Sequence, residues 1–183
     1  MDLGFLVGSS GKNADKIFDD AKKIIEKMLD SFEISTPKTH VAFVDYSGKP
    51  SVKINFDDGQ KPAKELKEKI KKLPRNSGGL LEDGVKFVAD ELFTPKHGSR
   101  PTARKSLVIV VNKDDLGDVE QAKKKLKKKG VKVVVLALGE EVDPKKAKKL
   151  PTTPDLLEMA ESFTKKPRVV GDLVEKLTQG KYS

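Results

Sequence analysis

The chain contains no cysteine and no tryptophan, has two histidines, and draws only 5% of its residues from the aromatic types. Without cysteine there is no disulfide to restrict the unfolded state and no thiolate to ligate a metal or attack a substrate, so stability must come from buried apolar surface. That absence leaves the compartment open. His40 and His97 have no cysteine or second histidine near them in sequence, so zinc-ligand spacing is missing, and both read as surface or internally satisfied histidines. No G-x-S-x-G turn is present to raise a nucleophilic serine. The residues offer no catalytic constellation, and the chain reads as a non-enzyme. Scarce aromatics also weigh against a base-stacking nucleic-acid platform. No apolar run reaches the roughly 20 residues needed to cross a bilayer, which argues against membrane insertion.

What is present is charge and segregated hydrophobicity. Lysine and arginine number 37 against 28 aspartates and glutamates, a formal net charge of +9 that favours acidic partners through salt-sensitive attraction. Hydrophobic and charged residues each make up 36% of the 183 residues, yet the apolar ones gather into runs at 5–7, 41–44, 106–111 and 131–138. Residues 1–183 fit a single domain. The amino terminus lacks a signal pattern, and Met1 leads straight into a strand-like run. It therefore reads as a start grafted onto a fragment of a longer, secreted chain.

The runs alternate with amphipathic segments. A strand at 3–7 leads through Gly8-Ser9-Ser10-Gly11 into a helix at 14–30. Strands at 39–46 and 51–56 follow, the second alternating in the manner of a half-exposed antiparallel edge. Helices are expected at 62–73, stopped by Pro74, and at 81–92. A strand at 106–111, apolar on both faces, precedes a helix at 119–129 capped by Gly130 and another such strand at 131–138. Beyond Gly139 the pattern gives short helices after Pro144 and at 155–163, a short strand at 168–170, and a closing helix at 172–177. The fold class expected is α/β: an open, mostly parallel central sheet with one antiparallel edge strand and helices on both faces, Rossmann-like in outline. Ligands of such sheets sit over the carboxyl ends of the strands. Those ends carry the loops 8–13, 76–81 and 112–115.

Two motifs invite specific chemistry. Gly8-Ser9-Ser10-Gly11-Lys12-Asn13 stands between strand and helix as a phosphate loop does. Only two residues separate Gly8 from the Gly-Lys pair, however, and Asn13 replaces the hydroxyl that would hold magnesium. The lysine run at 123–129 lies in the last turns of its helix, where positive charge complements the dipole. The ordinary reading is a solvated face, favoured by the shortage of aromatics. The functional reading is a polyanion site through Lys123, Lys124, Lys127 and Lys128, extended by Lys145, Lys146, Lys148 and Lys149 if the two helices adjoin.

Taken in order, Leu3 to Gly11, Val41-Ala42-Phe43-Val44-Asp45-Tyr46-Ser47, residues 85–93, residues 106–111, Gly130-Val131-Lys132-Val133 and Val142-Asp143 resemble a von Willebrand factor type A domain of the extracellular-matrix kind, as in type VI collagen, the matrilins and byssal thread matrix proteins. The family's usual site holds magnesium or manganese over the sheet and completes its coordination with a partner's carboxylate. Its ligands are an Asp-x-Ser-x-Ser loop, a threonine in the second loop and an aspartate after the fourth strand. By this resemblance Gly8 replaces the first aspartate, Ser10 keeps the middle serine and Lys12 replaces the last. The threonine position falls on Gly79 or Leu80, and Asn112 replaces the second aspartate. Lys12 is expected to place an ammonium near the vacated site, and Asp114 and Asp115 lie close enough to offer displaced ligands.

The resemblance implies a secreted, non-enzymatic adhesion or structural module of the extracellular matrix. No metal or other cofactor is expected, nor the metal-triggered shift of the last helix known in integrin-like relatives. The expected partner is collagen or another matrix protein, with a sulfated glycan as the alternative. The expected partner-binding residues are Ser9, Ser10, Lys12, Asn76, Ser77, Asn112 and Lys113.

Overall fold

The computed structural model describes residues 1–114 and 116–179. Its centre is a six-stranded sheet in the order β3-β2-β1-β4-β5-β6. The strands are β1 (Asp2–Val7), β2 (His40–Asp45), β3 (Ser51–Ile54), β4 (Lys105–Val111), β5 (Val131–Leu138) and β6 (Leu157–Ala160). All neighbours pair in parallel except β2 with β3, whose antiparallel register places Phe43 opposite Ile54 and Asp45 opposite Ser51. The fold class expected from the sequence is therefore observed: a mostly parallel sheet with one antiparallel edge strand.

Side chains alternate across the strands and feed two cores. On one face Leu3, Phe5, Val7, Val108, Val110 and Leu136 meet α1 (Ala14–Leu29), α2 (Ala63–Lys71) and α6 (Val169–Thr178). On the other, Leu6, Val44, Leu107, Ile109, Val133 and Val135 meet α3 (Leu81–Phe87), α4 (Glu120–Lys128) and α5 (Pro144–Ala147). Helix α1 shows why: Phe18, Ala21, Ile25, Met28 and Leu29 recur every three or four residues and are buried, while its lysines face outward or sideways. Helix α3 runs on through a wider π turn at Val88–Leu92 that keeps Val88, Ala89 and Leu92 in the core.

Two expectations fail near the carboxyl end. Residues 155–163, read as a helix, form a single 3₁₀ turn at Pro154–Leu156 followed by β6. Leu157–Ala160 has little intrinsic strand character, but pairing with residues 135–138 of β5 satisfies an edge that would otherwise be open. Residues 168–170, read as a strand, begin α6 instead, because Val169, Leu173 and Leu177 lie four residues apart and bury together against the sheet.

The chain builds outward from β1 to β2 and β3, then returns to lay β4 on the other side of β1. The strand order therefore reverses between β1 and β4. The crevice beyond the carboxyl ends of those two strands is where an open parallel sheet presents a ligand site.

Candidate functional site

Three loops converge at that crevice and are tied together by side chains. After β1, the Ser10 N–H donates to Asn112 Oδ1 at 3.2 Å, and Asn112 Nδ2 donates back to the Ser10 carbonyl at 2.8 Å. Asn112 is almost fully buried. Its amide thus acts as a peptide-like brace between the β1 and β4 loops. After β2, the buried carboxylate of Asp45 accepts from the Ser47 N–H at 2.7 Å, the Ser47 hydroxyl at 2.6 Å and Asn76 Nδ2 at 3.3 Å. Ser47 Oγ in turn accepts from the Asn76 N–H, and the Gly79 N–H donates to the Ser47 carbonyl. Arg75 ties this loop to the first by donating to the Ser9 carbonyl while pairing with Asp15. Asp45 and Ser47 belong to a stretch that carries the resemblance but are not among the expected site residues, although an acid two residues before a serine at a strand's end is an Asx-turn signature.

Tyr46 fills the space beneath. Its ring lies 2.8 Å from where a Cβ on Gly8 would stand, and its hydroxyl donates to the Val110 carbonyl at 2.6 Å. Burial, and then the negative charge of Asp45, push the phenol well above its ordinary range, so it serves as a neutral donor. A Cβ on Gly79 would run into the carbonyls of Tyr46 and Gly48. A side chain is therefore excluded at positions 8 and 79 alike, and Leu80, 54% exposed, takes the rim.

The resulting cleft of about 150 Å³ is bounded by Ser10, Tyr46, Leu80, Leu81, Asn112 and Lys113. The tip of Lys113 lies across Gly11, its Cε and Nζ in the space a Cβ there would take, and Gly11 adopts φ +75°, the conformation that calls for glycine. Lys12, expected to supply the ammonium, lies instead in a neighbouring cleft of about 210 Å³ with Lys16, Glu140, Glu161 and Lys165, sharing only Asn112 as a wall. There the Glu140 and Glu161 carboxyls share a hydrogen bond, which raises the Glu140 pKa and lowers that of Glu161.

Of the other expected contact residues, Ser9 is buried with its hydroxyl donating to the Ala14 carbonyl, while Asn76 and Ser77 are exposed on the rim. Asp114 accepts from the Asp143 N–H, and Asp115 lies outside the described residues. On α4, Lys124, Lys127 and Lys128 are exposed, and Lys123 donates to the Lys149 carbonyl, bringing the two lysine segments together.

A divalent ion of the hard kind needs several converging oxygens, with carboxylates to offset its charge. The cleft supplies a glycine at position 8, a bulkless position 79, an Asn112 whose amide is spent on Ser10, and an ammonium. These residues do not fit such an ion. Among the described residues no group of three or more His, Cys, Asp or Glu side chains could hold a metal.

Comparison with known proteins places this geometry among relatives. The von Willebrand factor type A domain profile matches residues 2–176. Matrilin-1 of Gallus gallus is 28% identical over 145 residues, covering 78% of this chain and 29% of its own length. The collagen alpha-1(XII) chain of Notophthalmus viridescens is 24% identical over 177 residues, covering 95% of this chain and 19% of its own. A solved structure of proximal thread matrix protein 1 from the mussel byssus, described with a zinc-occupied MIDAS motif, superposes with a TM-score of 0.86 at 16% identity. It covers 96% of this chain and 47% of that one. The chain therefore spans less than half the length of each of these matrix proteins.

Proposed function

The chain belongs to the von Willebrand factor type A domain family, and from that premise we propose that it is a non-enzymatic adhesion module of the extracellular matrix, secreted as part of a longer chain. Its partner in this reading is collagen or another matrix protein, bound at the carboxyl edge of the sheet without a divalent metal. Kinship with matrilin-1 and collagen XII supports the matrix setting. The observation that carries metal independence is the reciprocal Asn112–Ser10 pair. It consumes the side chain that resemblance assigns to an acidic ligand, and it holds the loops in place by hydrogen bonds.

Capture on fibrillar collagen, with and without EDTA, tests partner and metal together. Equal capture in both supports the reading; loss in EDTA refutes metal independence, and no capture in either refutes collagen as the partner. A second reading, a sulfated-glycan site on α4, is favoured by the bond from Lys123 to the Lys149 carbonyl, which joins two lysine-rich segments into one surface.

A further inference from the structure

Lys113 is half-buried, yet its ammonium meets no carboxylate or carbonyl among the described residues. Most other half-buried lysines are compensated, Lys53 on the edge strand β3 being the exception among the described residues. Lys105 donates to three carbonyls, Lys166 and Lys176 flank Glu158, and Lys67 pairs with Asp30. The tip of Lys113 lies over Gly11 at the cleft, where the sheet topology presents ligands. Beside it Ser10 carries a hydroxyl with no protein partner among the described residues, although both of its backbone polar groups are engaged by Asn112. Across the cleft stands Leu80, the one exposed large apolar side chain among the described residues.

We propose that Lys113 is the built-in cation of this cleft and receives an acidic side chain of the partner protein, with Ser10 as second donor and Leu80 packing an adjacent aliphatic residue. This rests on the reading of the carboxyl edge as the binding face. An ammonium tethered at its position does the charge work for which the relatives' fold employs an ion, and needs no ligand carboxylates to hold it. The chemistry selects a single carboxylate over a polyanion. One ammonium and one hydroxyl serve one anionic group, Leu80 and Leu81 make one side of the cleft aliphatic, and the lysines next door face Glu140 and Glu161, which repel a chain of sulfates.

The test is a titration of the protein, labelled with ¹³C at lysine and leucine, by blocked leucyl-glutamyl-leucine and its glutaminyl counterpart. We expect saturable shifts of the Lys113 ε-methylene and Leu80 methyl signals with the glutamyl peptide. Affinity should be at least about tenfold lower for the glutaminyl one, lost in Lys113→Gln, retained in Lys113→Arg, and unchanged by magnesium. Equal affinity for the two peptides, retention in Lys113→Gln, a tenfold gain with magnesium, or displacement by a sulfated heparin disaccharide at lower concentration would each overturn the proposal. Collagen capture separates it from the broader reading. If Lys113→Gln binds collagen as well as the parent, the lysine's role fails and the adhesive function stands. If collagen is not captured but the peptide titrates as expected, the lysine's role stands and collagen fails.

Discussion

Three glycines decide what the loops above the sheet can be. Gly8 and Gly79 lie where any side chain would strike the Tyr46 ring or the carbonyls of the 46–48 turn, and Gly11 makes room for the tip of Lys113. Restoring acidic character is therefore more than a change of charge. Gly8→Asp combined with Asn112→Asp should show no heat of manganese binding by calorimetry. It should also lose about 1–3 kcal/mol of stability from overpacking against Tyr46. Tight manganese binding to the parent or to this variant would refute the structural argument. Asn112→Ala removes both bonds to Ser10 and leaves backbone groups that were paired, so urea unfolding should register a loss of about 1–3 kcal/mol. An unchanged midpoint would mean that the brace carries no stability.

Among the elements, β6 and α6 are joined by charge as well as by packing. Glu158 of β6, nearly buried, pairs with Lys176 of α6 at 2.7 Å and with Lys166 at 3.2 Å. Burial alone would raise its pKa, but the two ammonium partners outweigh that and hold the carboxyl below its ordinary range. The native state then binds fewer protons than the unfolded chain. The stabilisation is fully present above the ordinary glutamate value of about 4.3 and is lost as pH falls through the lower native value. Thermal unfolding of the parent should accordingly worsen on acidification below about pH 4.3, and Glu158→Gln should flatten that slope while lowering stability at pH 7. Equal acid slopes in the two proteins would show the triad to be uncoupled from folding. The same region explains a misread pattern. The helix-forming residues of β6 extend because β5 offers them a strand edge, a tertiary demand that outweighs local propensity.

On the scale of the whole molecule, the net charge of +9 is distributed unevenly. Lys124, Lys127 and Lys128 project into solvent from α4, whereas Lys125 is engaged with Asp90 and Lys129 with the Ala89 carbonyl. If the glycan reading holds, Lys127→Glu with Lys128→Glu should elute from heparin at clearly lower salt while its collagen capture is unaffected. Elution at the parent's salt concentration would exclude α4 as a polyanion site. Both measurements can be made on one preparation, because the exposed lysines are remote in the fold from the core and their replacement should leave unfolding within about 0.5 kcal/mol.

The sequence by itself determined five of the sheet's six strands, the two-faced core and the loops at its carboxyl edge. Runs such as residues 106–111 and 131–138 can be buried only between helices, and amphipathic periods such as that of α1 must cover them. Resemblance added an expectation of which residues stand at the family's ligand positions, with Gly79 or Leu80 left open for one of them. Only the tertiary structure decided what fills the space they leave: the Tyr46 ring under Gly8, the amide of Asn112 closed on Ser10, and the ammonium of Lys113, rather than that of Lys12, laid over Gly11. The reason is physical. Periodicity and composition act between neighbours in the chain, whereas the occupant of a cleft depends on contacts between loops about a hundred residues apart, whose positions are fixed only once the sheet has brought them together.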